Sequence, residues 1–178
     1  IFSIIVMLTQ GLKPEFFLQP EARFSRIGDG TAVVSGFNTG WIFGKKLMIG
    51  GTSFSTNYGI EPNMTLATGD SKAEFRYRGG MIGWQFKSMG IVKPSISTVI
   101  GRGKLTSLGT TAGASGTVLA DRFWVFEPMA NLNIKVTKWG SLSLGGGYRF
   151  TTGGEYNGFD KNDLKSPTAR IGFTLGSW

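Results

Sequence analysis

The sequence predicts an all-β protein, an eight-stranded antiparallel up-and-down transmembrane β-barrel. Three observations lead to this prediction. After residue 15 the chain divides into eight runs in which apolar and polar residues alternate with a period of two. The connections between these runs are alternately short and long. In the clearest runs, bulky apolar side chains share one face and small or polar side chains share the other.

The amino-acid composition excludes several classes of function. Only 17% of the 178 residues are charged, against about 25% in an average soluble domain. The chain has no cysteine and no histidine, which excludes disulfides, thiolate or imidazole metal sites and every mechanism with an imidazole base. No apolar run reaches the roughly 18 residues of a membrane-spanning helix, so any membrane crossing requires strands.

The first nine residues, IFSIIVMLT, are almost wholly apolar. Their number fits the core of an export signal, and an extra N-terminal strand or helix is the alternative. We therefore expect residues 1–11 to be the remnant of an export signal or an N-terminal extension, and residues 12–178 to form a single barrel domain.

The alternation and the turn residues define each strand in order. The predicted strands are 16–27, 31–44, 47–58, 73–87, 91–105, 121–136, 141–151 and 166–178. Tight turns are expected at 45–46, 88–90 and 137–140; at the other end, longer loops are expected at 59–72, 106–120 and 152–165, together with one short connection at 28–30. All the tight turns fall at one end of the barrel. This layout is typical of outer-membrane barrels with short periplasmic turns and long extracellular loops, and the loops are the candidate sites for a surface partner.

Side-chain volume decides which face points inward. In the sixth strand, Trp124, Phe126, Leu132 and Ile134 share one face, and the other carries Glu127, Asn131 and Asn133. An eight-stranded barrel is only wide enough for side chains to fill it, so the bulky face would overfill the interior. The bulky face is therefore expected outside, against lipid, where closure of the sheet satisfies the backbone polar groups.

Aromatic residues are expected to form two belts at the membrane interfaces. The predicted members are Trp41, Phe43, Trp84, Phe86 and Trp139 at the short-turn end, and Phe24, Tyr58, Phe75, Tyr77, Trp124, Tyr148 and Phe150 at the loop end.

Charged residues of both signs are expected to line the interior and to pair there. The predicted lumenal network is Glu21, Arg23, Glu74, Arg76, Arg78, Lys93, Glu127, Lys135, Arg149 and Arg170. A network that plugs the barrel is the main interpretation. The alternatives are a proton or ion path, or a working pair of carboxylates formed by Glu21 and Glu127.

Two features fit a regular barrel badly. Pro20, Pro94 and Pro128 lie inside predicted strands, where they remove ladder donors, so bulges or shifted boundaries are expected there. A bulge is also expected at Gly79–Gly80, because it would bring Phe75 and Tyr77 onto the outer face.

Enzymatic and nucleic-acid functions are not predicted. The sequence Gly-Arg-Gly-Lys at 101–104 resembles part of a phosphate-binding loop. Leu105, however, occupies the position at which such a loop requires a serine or threonine. Asp160 and Asp163 lack the rest of a calcium loop, so neither metal nor cofactor is expected. The net charge of the chain is +8. Its lysines and arginines lie mostly at strand ends, where they would contact the headgroups of outer-membrane lipid. Nucleic acid is not an expected partner.

The C-terminal residues Arg170, Gly172, Leu175 and Trp178 resemble the assembly signal of bacterial outer-membrane barrels, although Ser177 departs from it. The layout from 16 to 178 resembles the small barrels of the outer-membrane protein A and X type. The segments 126–128, 147–150, 163–164 and 166–167 resemble uncharacterised Bacteroidetes-type members. The resemblance implies a Gram-negative outer-membrane location and the barrel assembly machinery as a partner, and it implies no catalytic residues.

These observations predict an integral outer-membrane barrel with a plugged polar lumen and a structural or surface-binding role through its extracellular loops. The alternatives are a narrow pore or transporter for small or apolar solutes, and a soluble lipocalin-like carrier.

Overall fold

The computed structural model of the chain describes residues 13–27, 30–56, 71–111, 114–152 and 165–176. The expected export-signal remnant, 1–11, lies outside these ranges. The described residues contain no helix long and apolar enough to cross a membrane.

Eight strands make up the described part of the chain. They are β1 (Glu15–Ile27), β2 (Gly30–Phe43), β3 (Leu47–Thr56), β4 (Ser71–Gln85), β5 (Val92–Thr111), β6 (Ala114–Lys135), β7 (Gly140–Thr152) and β8 (Ser166–Gly176). Each strand pairs with its neighbours in sequence, and the ladder closes between β1 and β8. All the pairings are antiparallel. The predicted fold class, a closed eight-stranded antiparallel up-and-down barrel, is confirmed.

The turn between β2 and β3 shows why the chain reverses tightly at this end. Gly44 and Lys45 both have positive φ, 58° and 60°. The amide of Lys46 donates to the carbonyl oxygen of Phe43 at 3.1 Å. Two central residues with positive φ match the right-handed twist of a hairpin. The turn therefore lies one residue before the predicted 45–46.

The connection between β5 and β6 differs from the prediction. Residues 106–120 were expected to form a long loop, but β5 continues to Thr111 and β6 begins at Ala114. The two strands stay paired up to Thr111 and Ala114, with one register shift at Ser107 and Leu108. They therefore form the longest hairpin of the described chain. The other two predicted loops each overlap a strand at one end: 59–72 ends inside β4, and 152–165 begins at the last residue of β7. Residues 59–70 and 153–164 lie outside the described ranges.

The expected bulge at Gly79–Gly80 is wrong. The β3–β4 and β4–β5 ladders run through both glycines in an unbroken register. Gly79 lies opposite Gly101, and a Cβ on Gly79 would stand 2.5 Å from the Cα of Gly101. Two glycines facing each other let the strands pass closely without a bulge, so strand β4 keeps one phase from Phe75 to Gln85.

The strand prolines are also accommodated without bulges. The β1–β8 ladder skips Pro20 and the β6–β7 ladder skips Pro128, and both resume in the same register. Pro94 lies just beyond the last pair of the β4–β5 ladder. Where one or two pairs of the ladder are absent, the missing N–H of the proline leaves no ladder hydrogen bond unmade.

The barrel has an apolar outside and a largely polar inside. Exposed large side chains include Val33, Trp41, Ile49, Ile82, Ile96, Ile100, Trp124, Phe126, Leu132 and Ile171. Buried positions hold serines, threonines, asparagines, glutamates and arginines, together with apolar side chains such as Phe17, Phe54 and Met81. A soluble lipocalin-like carrier requires the opposite arrangement, with the bulky apolar face inward, and the structure contradicts that alternative.

Substitution of the facing glycines tests this close approach. Gly79→Ala places a Cβ 2.2 Å from the carbonyl oxygen of Ile100, whereas the nearest atom to a Cβ on Gly80 is 3.9 Å away. We expect Gly79→Ala to lower the free energy of unfolding by about 1–3 kcal/mol. Urea titration in detergent, followed by tryptophan fluorescence, measures the effect, and Gly80→Ala is the matched control. Equal losses in the two variants would contradict the register described here.

Candidate functional site

Among the buried side chains of the lumen, three layers can be distinguished. The charged layer lies in the middle and comprises Glu21, Arg23, Glu127, Arg149 and Arg170. The aromatic layer, towards the long connections, comprises Phe54, Phe75, Tyr77 and Phe123. The amide layer, towards the short turns, comprises Gln19, Asn38, Asn131 and Asn133. All thirteen of these side chains are buried.

Arg23 is the centre of the charged layer. Its Nε donates to Oε1 of Glu21 at 2.6 Å, and its Nη1 donates to Oε2 of Glu127. Glu21 and Arg23 lie on β1, and Glu127 lies on β6, so the second ion pair joins distant strands across the lumen. Arg23 is 1% exposed and Glu127 is 0% exposed. Burial of these ions is stable only because each has a partner of opposite charge.

Two further arginines complete the layer. Nη1 of Arg170 donates to the second oxygen of Glu21 at 2.7 Å. Nη2 of Arg149 donates to Oε1 of Glu127 at 3.4 Å. Each carboxylate therefore bridges two guanidinium groups, and these connections link β1, β6, β7 and β8.

Tyr77 joins the charged layer to the aromatic layer. Its hydroxyl accepts a hydrogen bond from Nη1 of Arg23 at 2.7 Å and donates to Oε2 of Glu127 at 2.9 Å. Its ring stacks on Phe54, with 5.2 Å between centroids. The guanidinium carbon of Arg23 lies 3.9 Å from the Phe54 ring centroid. The contact between the cation and the ring adds an attraction in a buried site.

The aromatic layer fits because glycines make room for its rings. Phe75 and Phe123 stack with 5.3 Å between centroids. A Cβ on Gly103 would lie 2.1 Å from the Phe123 ring, and one on Gly36 would lie 2.6 Å from the Phe54 ring. Inward aromatic rings therefore occupy the space that the missing side chains leave.

The amide layer connects strands through uncharged hydrogen bonds. Nε2 of Gln19 donates to the hydroxyls of Ser143 at 2.9 Å and Thr174 at 2.6 Å. Nδ2 of Asn38 donates to Oε1 of Gln19 at 3.1 Å. Ser143 in turn donates to Oδ1 of Asn133 at 2.6 Å. Strands from both sides of the barrel are therefore tied together below the charged layer.

At the short-turn end, a cavity of about 550 Å³ is lined by Lys45, Lys87, Lys93 and Lys135, whereas the free space among the buried side chains is small. A cavity of about 20 Å³ lies between Gln85, Lys93, Asn133 and Ser141. This is about the room that one water molecule needs. Chemically, the lumen is arranged to fix its ions in place and to join opposite walls.

The structure brings only part of the predicted charge network together. Glu21, Arg23, Glu127, Arg149 and Arg170 form the charged layer, and Lys93 is buried near the short-turn mouth. The other predicted members behave differently: Arg76, Arg78 and Lys135 are exposed, and the side chain of Glu74 is outside the described part. Arg76 and Arg78 point outward because β4 keeps its alternation through Gly79–Gly80.

The predicted interface aromatics divide in the same way. Trp41, Trp84, Phe86, Trp139, Phe24, Trp124, Tyr148 and Phe150 are exposed, and Phe43 is half-buried. Phe75 and Tyr77 were expected at the interface, but they are buried in the lumen at 0% and 1% exposure. Tyr58 lies outside the described residues. The unbroken register of β4 explains the two misplaced aromatics as well as the two misplaced arginines.

Of the residues that resemble an assembly signal, Arg170 belongs to the charged layer. Gly172 leaves room for Glu21, whose Cβ would lie 2.6 Å from a Cβ at this position. Leu175 is half-buried, and Trp178 lies outside the described residues.

Sequence reasoning missed Tyr77, Gln19 and Ser25 as members of the lumen network. Ser25 accepts a hydrogen bond from Nη1 of Arg149 at 3.1 Å. A plain period of two through β1 and β4 places all three inward, so the signal was in the alternation itself. No cluster of three or more acidic side chains suited to a metal occurs among the residues that the structure describes.

Comparisons with known proteins support the fold. No protein-family model matches the chain, and no curated protein matches it. The chain is similar to solved small eight-stranded outer-membrane barrels, at identities that support the fold alone. The crystal structure of Neisserial surface protein A has a TM-score of 0.69 at 12% identity, covering 90% of this chain and 96% of that one.

Two further barrels are similar. Ail of Yersinia pestis, in complex with the heparin analogue sucrose octasulfate, has a TM-score of 0.60 at 15% identity, covering 92% of this chain and 99% of that one. The N-terminal barrel domain of Pseudomonas aeruginosa OprF has a TM-score of 0.56 at 12% identity, covering 92% and 99%. The fold is therefore that of small outer-membrane β-barrels.

Removal of one carboxylate tests the charged layer. Glu127→Gln removes the negative charge between Arg23 and Arg149, and we expect it to lower the free energy of unfolding by about 3–5 kcal/mol. Urea titration in detergent measures the loss. Lys135→Gln is the control, because Lys135 is an exposed charge on the same strand. A loss no larger than that of the control would contradict a buried ion network.

Proposed function

We propose that the protein is an integral barrel of a bacterial outer membrane with a sealed polar lumen. Its role is structural or surface-binding, exerted through the connections at its long-loop end. The single observation that carries this proposal is the distribution of side chains: large apolar side chains cover the exposed wall, and paired ions are buried inside.

The outer wall supports a membrane environment. Along β6 the outward positions Phe126, Leu132 and Ile134 are apolar, and Trp124 lies at the loop end of this series. Ten residues separate Trp124 from Ile134, which is roughly 34 Å along a strand. With the usual tilt of a barrel strand, this length suits an apolar band of about 25 Å. In water, the same band would be a large exposed apolar surface.

The lumen supports an anchoring role over a transport role. The charged layer joins β1 to β6, and the aromatic layer stacks above it. A route for a solute would have to break ion pairs that are almost completely buried. The same pairs hold Glu21 and Glu127 between arginines, which leaves neither carboxylate placed as a general acid or base, and no enzymatic activity is proposed.

The loop end is the proposed surface for a partner. It comprises the β5–β6 hairpin around 106–120 and the connections 59–72 and 152–165. Outer-membrane lipid is the partner of the wall, and the barrel assembly machinery is the proposed partner of the C-terminal strand. We place the chain with the outer-membrane protein A and X type, in its Bacteroidetes branch, on the sequence segments that resemble it.

Conductance separates a sealed barrel from a narrow pore. In planar bilayers we expect no discrete current steps, because the charged and aromatic layers close the lumen. The measurement is single-channel recording of the refolded protein, with a general porin in the same bilayers as the positive control. Clear, reproducible steps from the refolded protein would overturn the sealed lumen and favour a channel for small solutes.

A further inference from the structure

Five basic residues form a patch on the outer wall near the loop end. The basic patch consists of Arg76 and Arg78 on β4, Arg102 and Lys104 on β5, and Arg122 on β6, and all five are exposed. The patch concentrates positive charge on a wall that is otherwise apolar.

The strand register places these charges side by side. Lys104 lies directly opposite Arg76 on one side and Arg122 on the other. In the next outward row, Arg78 lies opposite Arg102, and Arg102 lies opposite Trp124. Side chains directly opposite on neighbouring strands have Cβ atoms about 4.5–5.5 Å apart. Arg78 and Arg102 repel each other at this spacing, so their row favours an anion that lies between them.

An apolar groove begins below the basic patch on the same wall. Its floor consists of small or flat residues, Thr98, Pro128, Ala130 and Gly146, and its sides are formed by Trp84 and Tyr148. It has a volume of about 790 Å³. The floor is wide because Thr98 lies opposite Pro128, and Ala130 lies opposite Gly146.

Strand β5 connects the two features. Its outward positions run from Lys104 and Arg102, through Ile100, to Thr98 on the groove floor. Four residues separate Arg102 from Thr98, which is about 13 Å along a strand. The ring of Trp124 lies beside this path, with the Arg102 guanidinium carbon 4.5 Å from its centroid. Along β5 the basic patch is therefore followed by apolar surface, in the same order as the headgroup and the acyl chain of a lipid molecule.

We propose that the basic patch and the groove form a binding site for a single anionic lipid of the loop-side leaflet. The headgroup of this lipid carries at least two phosphates, and one of its acyl chains lies in the groove. This inference rests on the proposed membrane location.

The groove selects a lipid over a soluble anion. Arg78, Arg102 and Lys104 together suit a ligand with more than one phosphate, because guanidinium groups bind phosphate oxygens in pairs. A soluble polyanion would use the basic patch alone and would leave the groove empty. Binding of the lipid therefore has to depend on both features.

The headgroup contacts are tested with a charge-matched pair of variants. The test variant is Arg78→Gln, Arg102→Gln and Lys104→Gln. The control variant is Lys45→Gln, Lys87→Gln and Lys138→Gln, which removes three exposed cations at the opposite end. The proteins are refolded into phosphatidylcholine vesicles that contain a small fraction of diphosphoryl lipid A or its monophosphoryl form. Lipid retained after mild detergent extraction is counted by native mass spectrometry.

We expect the wild type to retain the diphosphorylated lipid in preference to the monophosphorylated one. The test variant loses retention by about a hundredfold, since each basic side chain at a headgroup contributes roughly a factor of five. The control variant stays close to the wild type. Equal losses in the two variants would show attraction by net charge only, and would overturn the site.

The acyl-chain contact is tested at the groove floor. Ala130→Phe fills the groove, and Leu144→Phe is the control at another exposed position of the outer wall. We expect Ala130→Phe to lower retention of the diphosphorylated lipid, and Leu144→Phe to leave it unchanged. Inhibition of lipid retention by soluble sucrose octasulfate, with no effect of Ala130→Phe, would assign the patch to a soluble polyanion instead.

Vesicle flotation and circular dichroism keep the two proposals apart. A wild type that does not float with phosphatidylcholine vesicles contradicts the membrane location itself. A wild type that floats, shows the β-sheet spectrum and retains neither form of the lipid contradicts the lipid site alone.

Discussion

The ion pairs of Arg23 with Glu21 and Glu127 hold the barrel together from within. A charge buried in a narrow lumen is tolerated only with a partner, and loss of one partner leaves the other uncompensated. Because the pair to Glu127 joins β1 to β6, the same contact that neutralises the lumen also fixes the distance between distant strands. The stacked rings above it and the amides below it fill the space that the ions leave.

The inner layers and the outer wall depend on each other. Closure of the ladder between β1 and β8 satisfies backbone groups that lipid cannot satisfy. It also creates the interior in which the polar side chains have to pair. Close passage of strands at Gly79 and Gly101, and the gaps beside Phe54 and Phe123, let the barrel stay narrow enough for those contacts. The apolar band and the basic patch both lie on the outer wall.

The sequence predicted the barrel because alternation and turn residues are local signals. Strand β8 was expected at 166–178 and is observed at Ser166–Gly176. The error in β4 lay in placing the bulky side chains on both sides of Gly79–Gly80 on one outer face, whereas plain alternation through the two glycines places Phe75 inward and Arg76 outward. Pairing of β5 with β6 beyond residue 105 was hidden, because the predicted loop 106–120 is rich in glycine, serine and threonine. Which buried ions touch cannot be deduced from period alone, since this depends on the barrel's diameter and register.

Refolding with and without an amphiphile tests the central claim, that the apolar face points outward. The denatured protein is diluted into buffer alone or into buffer with detergent, and each sample is run on a gel boiled and unboiled. The side-chain distribution predicts a folded form, with a mobility that changes on boiling, only in the presence of detergent. A soluble monomer that folds in plain buffer and shows no change on boiling would contradict an outward apolar face.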